Sequence, residues 1–196
     1  MQPSMNKRSR KSVFLNFPNI LTLGRLVLIP VIVVIYYLPF QGNYVVAAAI
    51  FALAAATDWL DGYLARRWNQ MTPFGAFLDP VADKVIVAVA LAMLVEAHHN
   101  LILTAPAIVI IGREIVISAL REWMAEMGKR ASIAVNFIGK VKTSCQMLAI
   151  TALLAFPPEM KEAWAGLALL YIAALLTLWS MFVYLRAAWP ELTRDS

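Results

Sequence analysis

The sequence predicts an all-α, polytopic membrane protein with six transmembrane helices, and three observations predict it. Of the 196 residues, 61% are hydrophobic and 15% charged, against about 45–50% and about 25% in ordinary soluble domains. The apolar residues gather into six runs, each close to the roughly 20 residues that an α-helix needs to cross the hydrocarbon core. The breaks between runs carry turn residues, and basic residues collect at alternate breaks.

Residues 1–18 read as a basic tail and interfacial anchor, with Lys7, Arg8, Arg10 and Lys11 ahead of Phe14, Leu15 and Phe17. This basic stretch leads into a full-length apolar run, so it is not expected to be a cleavable signal peptide. The first span is Asn19 to Leu38, closed by Pro39, Gly42 and Asn43. The second, Tyr44 to Ala65, ends at Arg66 and Arg67, and a break from Asn69 to Pro73 follows. The third, Phe74 to Val95, stops at a short polar break in which His98 and His99 read as solvated loop residues. The fourth runs from Leu101 to Leu120, before Arg121 and the break at Gly128, Lys129 and Arg130. The fifth, Phe137 to Phe156, is closed by Pro157 and Pro158, and the sixth is Trp164 to Leu185. With no long linker, low-complexity tract or internal repeat, residues 19–190 are expected to form one six-helix domain, with 191–196 as a short tail.

In a six-span weave the basic residues fall on one side, apart from Lys161, so both termini are expected in the cytoplasm. Trp68, Trp123 and Trp189 then lie at the cytoplasmic boundary and Trp164 at the outer one, as an aromatic belt would. The formal charge of +5 suits anionic lipid and calls for no nucleic acid. The single Cys145 excludes a disulfide framework.

Four aspartates stand out inside this apolar chain: Asp58, Asp61, Asp79 and Asp83. A carboxylate within a membrane segment costs roughly 2.5–3.5 kcal/mol on insertion scales and marks a functional site by default. Asp58 and Asp61 are three residues apart, and Asp79 and Asp83 four apart, so each pair shares a helix face. Asp58 precedes Arg66 by eight residues, about 12 Å along a helix. Asp79 and Asp83 enter from the same boundary on the next helix, so an antiparallel hairpin brings the four together. Four such charges repel one another unless a hard multivalent cation neutralises them. Two pairs on facing helices suit two metals about 3.5–4 Å apart, an arrangement for in-line attack at phosphorus. Gly62, Ala65 and Gly75 ride beside the acids; taken singly, such small residues more often serve close helix packing.

The order D-x-x-D-G-x-x-A-R-x8-G-x3-D-x3-D, from Asp58 to Asp83, fills every position of the CDP-alcohol phosphotransferase signature, and the chain resembles that family. Flanking stretches resemble bacterial members that use glycerol 3-phosphate: Asn16 to Arg25, Asp79 to Lys84, Gly112 to Ile115 with Arg121 and Glu122, and Gly139 to Thr143 with Gln146 and Met147. The resemblance implies a homodimeric six-helix enzyme of the bacterial cytoplasmic (inner) membrane, its site facing the cytoplasm. It implies transfer of the phosphatidyl group of CDP-diacylglycerol to the 1-hydroxyl of sn-glycerol 3-phosphate, with release of CMP. By the same resemblance Asp58, Asp61, Asp79 and Asp83 are ligands of two divalent ions (Mg²⁺ or Mn²⁺), and Asp83 is also the base. Asp61, Gly62, Ala65, Arg66 and Gly75 then line the site for the CDP moiety.

A dianionic acceptor needs fixed positive charge, and the cations inside the spans are Arg25, Lys84, Arg113, Lys140 and Lys142. Arg113 lies about three helical turns inside Trp123, too deep to reach water easily. Lys140 and Lys142 point about 200° apart on a helix, so one of them faces a given pocket, and Lys140 is favoured. Arg113, Arg121 and Lys140, with Thr22, Arg25 and Lys142, are the expected phosphate-binding set. Within the family the alternative acceptors are an inositol phosphate or a phospholipid head group. Outside it, a divalent-metal transporter is disfavoured because no repeat is visible and the acids group towards one face.

Overall fold

The computed structural model describes residues 17–67, 72–127 and 137–193, without the side chains of 17–18, 58–66, 137–140 and 190–191. Residues 1–16 of the expected tail and interfacial anchor (1–18), Trp68, Lys129, Arg130 and the tail from Arg194 lie outside the described residues.

All regular structure among the described residues is helical: α1 Phe17–Tyr37, α2 Asn43–Arg67, α3 Pro73–His98, α4 Leu101–Glu126, α5 Phe137–Ala155 and α6 Ala163–Leu192. Each expected span falls on one helix, and α4 and α6 run on past the apolar stretch to Glu126 and Leu192. Hydropathy locates the part of a helix that suits lipid, whereas backbone hydrogen bonding carries the helix into its polar ends. Among the described residues three helices are long and apolar enough to cross a membrane: Asn19–Tyr37, Leu101–Glu126 and Ala163–Trp189, with mean hydropathies of 2.2, 2.0 and 2.1. Asn43–Thr57 and Val141–Ala155 are shorter apolar helical stretches. Only 28% of each long apolar window is buried by protein, which leaves outward faces such as Val27, Ile108 and Leu175 suited to lipid.

Two compact units divide the chain, Met1–Ala90 and Leu91–Ser196, with the division inside α3. In the first unit α1 packs on α2. The buried stripe of α1 follows the helical period through Asn19, Thr22, Arg25, Ile29, Ile32 and Tyr36, polar over its first half and apolar over its second. At the stripe's apolar end Tyr36 meets Tyr44 edge-on, with ring centroids 5.1 Å apart. The Asn43 side chain donates to the Tyr36 carbonyl at 2.7 Å, tying the turn to the end of α1.

In the second unit α6 packs against both α5 and α4. A Cβ at Gly166 would come within 2.9 Å of Leu153 Cγ, so only glycine lets α5 and α6 approach this closely. Asn100 caps α4 by accepting from Leu103 N–H at 2.9 Å. Tyr171 on α6 donates to the Ile102 carbonyl at 2.8 Å. Further along, Ile117, Leu120 and Met124 of α4 bury themselves with Ala188 of α6. The buried stripe of α5 repeats the plan of α1, with Lys142 and Gln146 ahead of Ala149, Ile150 and Leu153.

Candidate active site

The first polar cluster lies within Met1–Ala90 and joins α1 to α3 by three rungs. Thr72 sits before α3 with Pro73 at its first turn, where the missing proline N–H costs nothing. The Thr72 hydroxyl accepts from Gly75 N–H at 3.0 Å, a capping bond, and from Asn19 Nδ2 at 3.0 Å. One rung deeper, Thr22 donates to Asp79 Oδ1 at 3.3 Å. Deeper still, Arg25 Nη1 donates to Asp83 Oδ1 and lies 3.9 Å from Asp79 Oδ1. Arg25 is 1% exposed, so its charge is tolerable only beside these carboxylates. Its long side chain therefore runs inward to acid and does not snorkel to water.

Gly75 has a packing reason of its own: a Cβ there would collide with Asn19 Oδ1. Pro80, between the two aspartates, removes the N–H that would otherwise bond the carbonyl of residue 76. Asp79 and Asp83 keep 38% of their side-chain surface exposed and turn oxygens towards one positive charge. Hard oxygen donors that converge on a cation fit a divalent metal. Asp58, Asp61, Gly62, Ala65 and Arg66 lie on α2, with their side chains outside the described residues. Among the described residues no three His, Cys, Asp or Glu side chains form a cluster able to hold a metal.

The second polar cluster lies within Leu91–Ser196, on α4, α5 and α6. Arg113 Nη1 donates to Glu114 Oε1, and Lys142 Nζ approaches the same oxygen at 3.5 Å. Arg113 Nη2 donates to the Ser180 hydroxyl at 3.3 Å, while that hydroxyl donates to the Thr177 carbonyl at 2.9 Å. Arg113 and Lys142 side chains are 12% and 6% exposed, so both cations are largely removed from water. Arg113 Nε is buried with no hydrogen-bond partner among the described residues. Among the described side chains one carboxylate therefore faces two cations, an excess of positive charge in a poorly solvated place. Such a site suits an anion, and the guanidinium fork suits a phosphate in particular.

The other expected residues are distributed as follows. Lys140 lies on α5 with its side chain outside the described residues, and Lys142 is buried against Glu114. Arg121 is exposed and places its guanidinium 5.2 Å from the centre of the Tyr184 ring. Lys84 is exposed. His98 differs from the sequence expectation. Helix α3 continues through it, its Nδ1 lies 2.9 Å from the Leu94 carbonyl, and its Nε2 is buried. His99 is exposed, with a left-handed φ of 45°. Sequence reasoning did not single out Ser180, because a lone serine in an apolar helix reads as bonding its own helix.

The family model described as CDP-alcohol phosphatidyltransferase matches residues 15–179. A CDP-diacylglycerol–glycerol-3-phosphate 3-phosphatidyltransferase of Pseudomonas fluorescens is 59% identical over 184 residues, 92% of this chain and 94% of the relative. Proteins of the same description are 58% identical in Salmonella choleraesuis and 57% identical in Escherichia coli, each over 177 residues, 90% of this chain and 97% of the relative.

Proposed function

The chain belongs to the CDP-alcohol phosphatidyltransferase family, and from that premise we propose how its residues divide the reaction. The reaction is transfer of the phosphatidyl group of CDP-diacylglycerol to the 1-hydroxyl of sn-glycerol 3-phosphate, giving phosphatidylglycerophosphate and CMP for phospholipid synthesis. The enzyme is a membrane protein. The finer topology is six spans with both termini and the site on the cytoplasmic side of a bacterial inner membrane, in a homodimer. The alternation of basic residues along the chain supports that orientation. Residues 19–190 are taken as the catalytic membrane domain.

Asp58, Asp61, Asp79 and Asp83 hold two divalent ions, Mg²⁺ or Mn²⁺, which when bound offset the pyrophosphate charge. Asp61, Gly62, Ala65, Arg66 and Gly75 line the cytidine and pyrophosphate site. Asp83 takes the proton of the acceptor hydroxyl, a contribution worth about 10²–10⁴-fold for a general base. For Thr22 and Arg25, expected among the acceptor's ligands, the bonds to Asp79 and Asp83 support a role in orienting those carboxylates. Arg113 and Lys142 bind the acceptor's phosphate, with Arg121 and Lys140 as further contributors. The excess of cation over carboxylate at Arg113, Glu114 and Lys142 is the observation that carries the acceptor assignment.

The test is CMP release from CDP-diacylglycerol by the purified enzyme in micelles. The acceptors offered are glycerol 3-phosphate, glycerol, an inositol phosphate and phosphatidylglycerol. Release with glycerol 3-phosphate alone is expected. Equal release with glycerol would remove the phosphate site, and preference for another phosphorylated alcohol would reassign the acceptor.

A further inference from the structure

Ser180 stands in the apolar sixth helix, between Trp179 and Met181. Its hydroxyl proton is directed to the Thr177 carbonyl at 2.9 Å, one turn back on the same helix. That leaves the oxygen lone pairs to receive Arg113 Nη2 from α4 at 3.3 Å. A serine that only satisfied its own helix would need no such partner 67 residues away. On its other terminal nitrogen the same guanidinium meets Glu114. The planar group is therefore held at both Nη atoms, by a carboxylate of its own helix and by a hydroxyl of a neighbouring one. Arginine matches phosphate through a fixed fork of donors, so the plane in which the fork is held decides which phosphate position it can meet.

We propose that Ser180 is a positioning residue for the acceptor's phosphate, acting through Arg113 by fixing the plane of its guanidinium against α6. The proposal rests on the assignment of Arg113 to that phosphate. Ser180 is small enough that its loss to alanine removes one hydroxyl and opens little space, so α4 and α6 keep their packing through Ile117, Leu120 and Ala188. Glu114 cannot substitute for it, because Glu114 grips Nη1 and answers to Lys142 at the same oxygen. Freed from Ser180, the guanidinium keeps its charge and its carboxylate but loses its orientation. The consequence is weaker acceptor binding with little change for the nucleotide substrate.

The experiment is a double-mutant cycle on the full-length enzyme in micelles, with Ser180→Ala, Arg113→Gln and the pair, read as apparent KM for each substrate and as melting temperature. Ser180→Ala is expected to raise the glycerol 3-phosphate KM about fivefold, ~1 kcal/mol, with the CDP-diacylglycerol KM and melting temperature unchanged. Added to Arg113→Gln it should raise the KM no further, because nothing is left to orient. Ser180→Thr, which keeps the hydroxyl, should restore most of the affinity. An unchanged acceptor KM in Ser180→Ala, beside a raised one in Arg113→Gln, overturns the role of Ser180 and leaves the acceptor assignment standing. No effect of Arg113→Gln on that KM overturns the acceptor assignment itself. Additive losses, or a lowered melting temperature with both KM values raised, would make Ser180 a packing residue and overturn the proposal.

Discussion

Helices α1 and α5 each bury a stripe that is polar first and apolar after: Asn19, Thr22 and Arg25 before Ile29 and Ile32, and Lys142 and Gln146 before Ile150 and Leu153. The stripes are built alike, yet the charges they meet are balanced in opposite senses. Among the described side chains, a buried guanidinium around α1 faces the carboxylates of Asp79 and Asp83. Around α5 a buried ammonium joins a guanidinium over a single carboxylate, Glu114. Burying any of these groups alone would cost several kcal/mol, so each cluster must be largely neutralised to exist at all. What each leaves over differs in sign. Counted over the described side chains, the first offers hard carboxylate oxygen donors, which suit cations, and the second an excess of positive charge, which suits a phosphate. The sign of the remainder therefore points to ligand class more directly than the number of charged residues does.

The largest effect should come from cutting into the acidic cluster. Asp79→Asn is expected to lower CMP release by roughly 10²–10³-fold or more. The fold should persist, because Arg25 still has Asp83 and the asparagine amide oxygen can still accept from Thr22. Monodisperse elution together with lost activity supports the assignment. Near-normal turnover, or full turnover in excess EDTA, would remove the metal role.

A smaller effect is expected at Gly75, where packing and nucleotide binding compete to explain the missing side chain. Gly75→Ala should destabilise by about 1–3 kcal/mol, since the new Cβ meets Asn19 Oδ1. Adding Asn19→Ala should recover much of the melting temperature. If CDP-diacylglycerol binding recovers with it, Gly75 serves α1–α3 packing alone. If binding stays lost, the small residue also makes room for the nucleotide.

The smallest effect is expected at His98, which is half-buried and belongs to neither cluster. Burial, partly opposed by its bond to the Leu94 carbonyl and by the charge of Glu159, holds its imidazole below the ordinary value. The folded state then binds fewer protons than the unfolded one. Its stability contribution is thus intact above the ordinary imidazole pKa of about 6.5 and is lost as pH falls from there towards the lowered value. Melting temperatures at neutral and mildly acidic pH should diverge less in His98→Gln than in the parent, with neutral-pH turnover unchanged. An equal acid sensitivity in the two proteins would place the titrating group elsewhere.

Much of this was legible in the sequence, for identifiable reasons. Apolar runs located the six helices of the described residues because hydropathy is a local property of the chain. The four-residue spacing placed Asp79 and Asp83 on one face, and depth alone showed that Arg113 needs an anion, met here by Glu114. Three features were not legible. Arg25 meets Asp83 across 58 residues, and helix spacing says nothing about partners that far apart. That Lys142 is buried against Glu114 was not legible, because which side of α5 turns inward depends on how it packs on α6. His98 stays helical where charge and hydropathy signalled a break, since its ring returns to the Leu94 carbonyl.

The opposite charge balance of the two clusters is tested most directly by initial rates of Arg113→Gln over a grid of glycerol 3-phosphate and CDP-diacylglycerol concentrations. Neutralising Arg113 leaves Lys142 as the described cation on Glu114, so the positive excess among the described side chains disappears while the acidic cluster keeps all its members. The acceptor KM should rise at least about tenfold, ~1.4 kcal/mol, with the CDP-diacylglycerol KM and the dependence on divalent metal unchanged. An unchanged acceptor KM in a folded variant, or an equal rise in both KM values, would contradict the assignment of the basic cluster to the acceptor's phosphate.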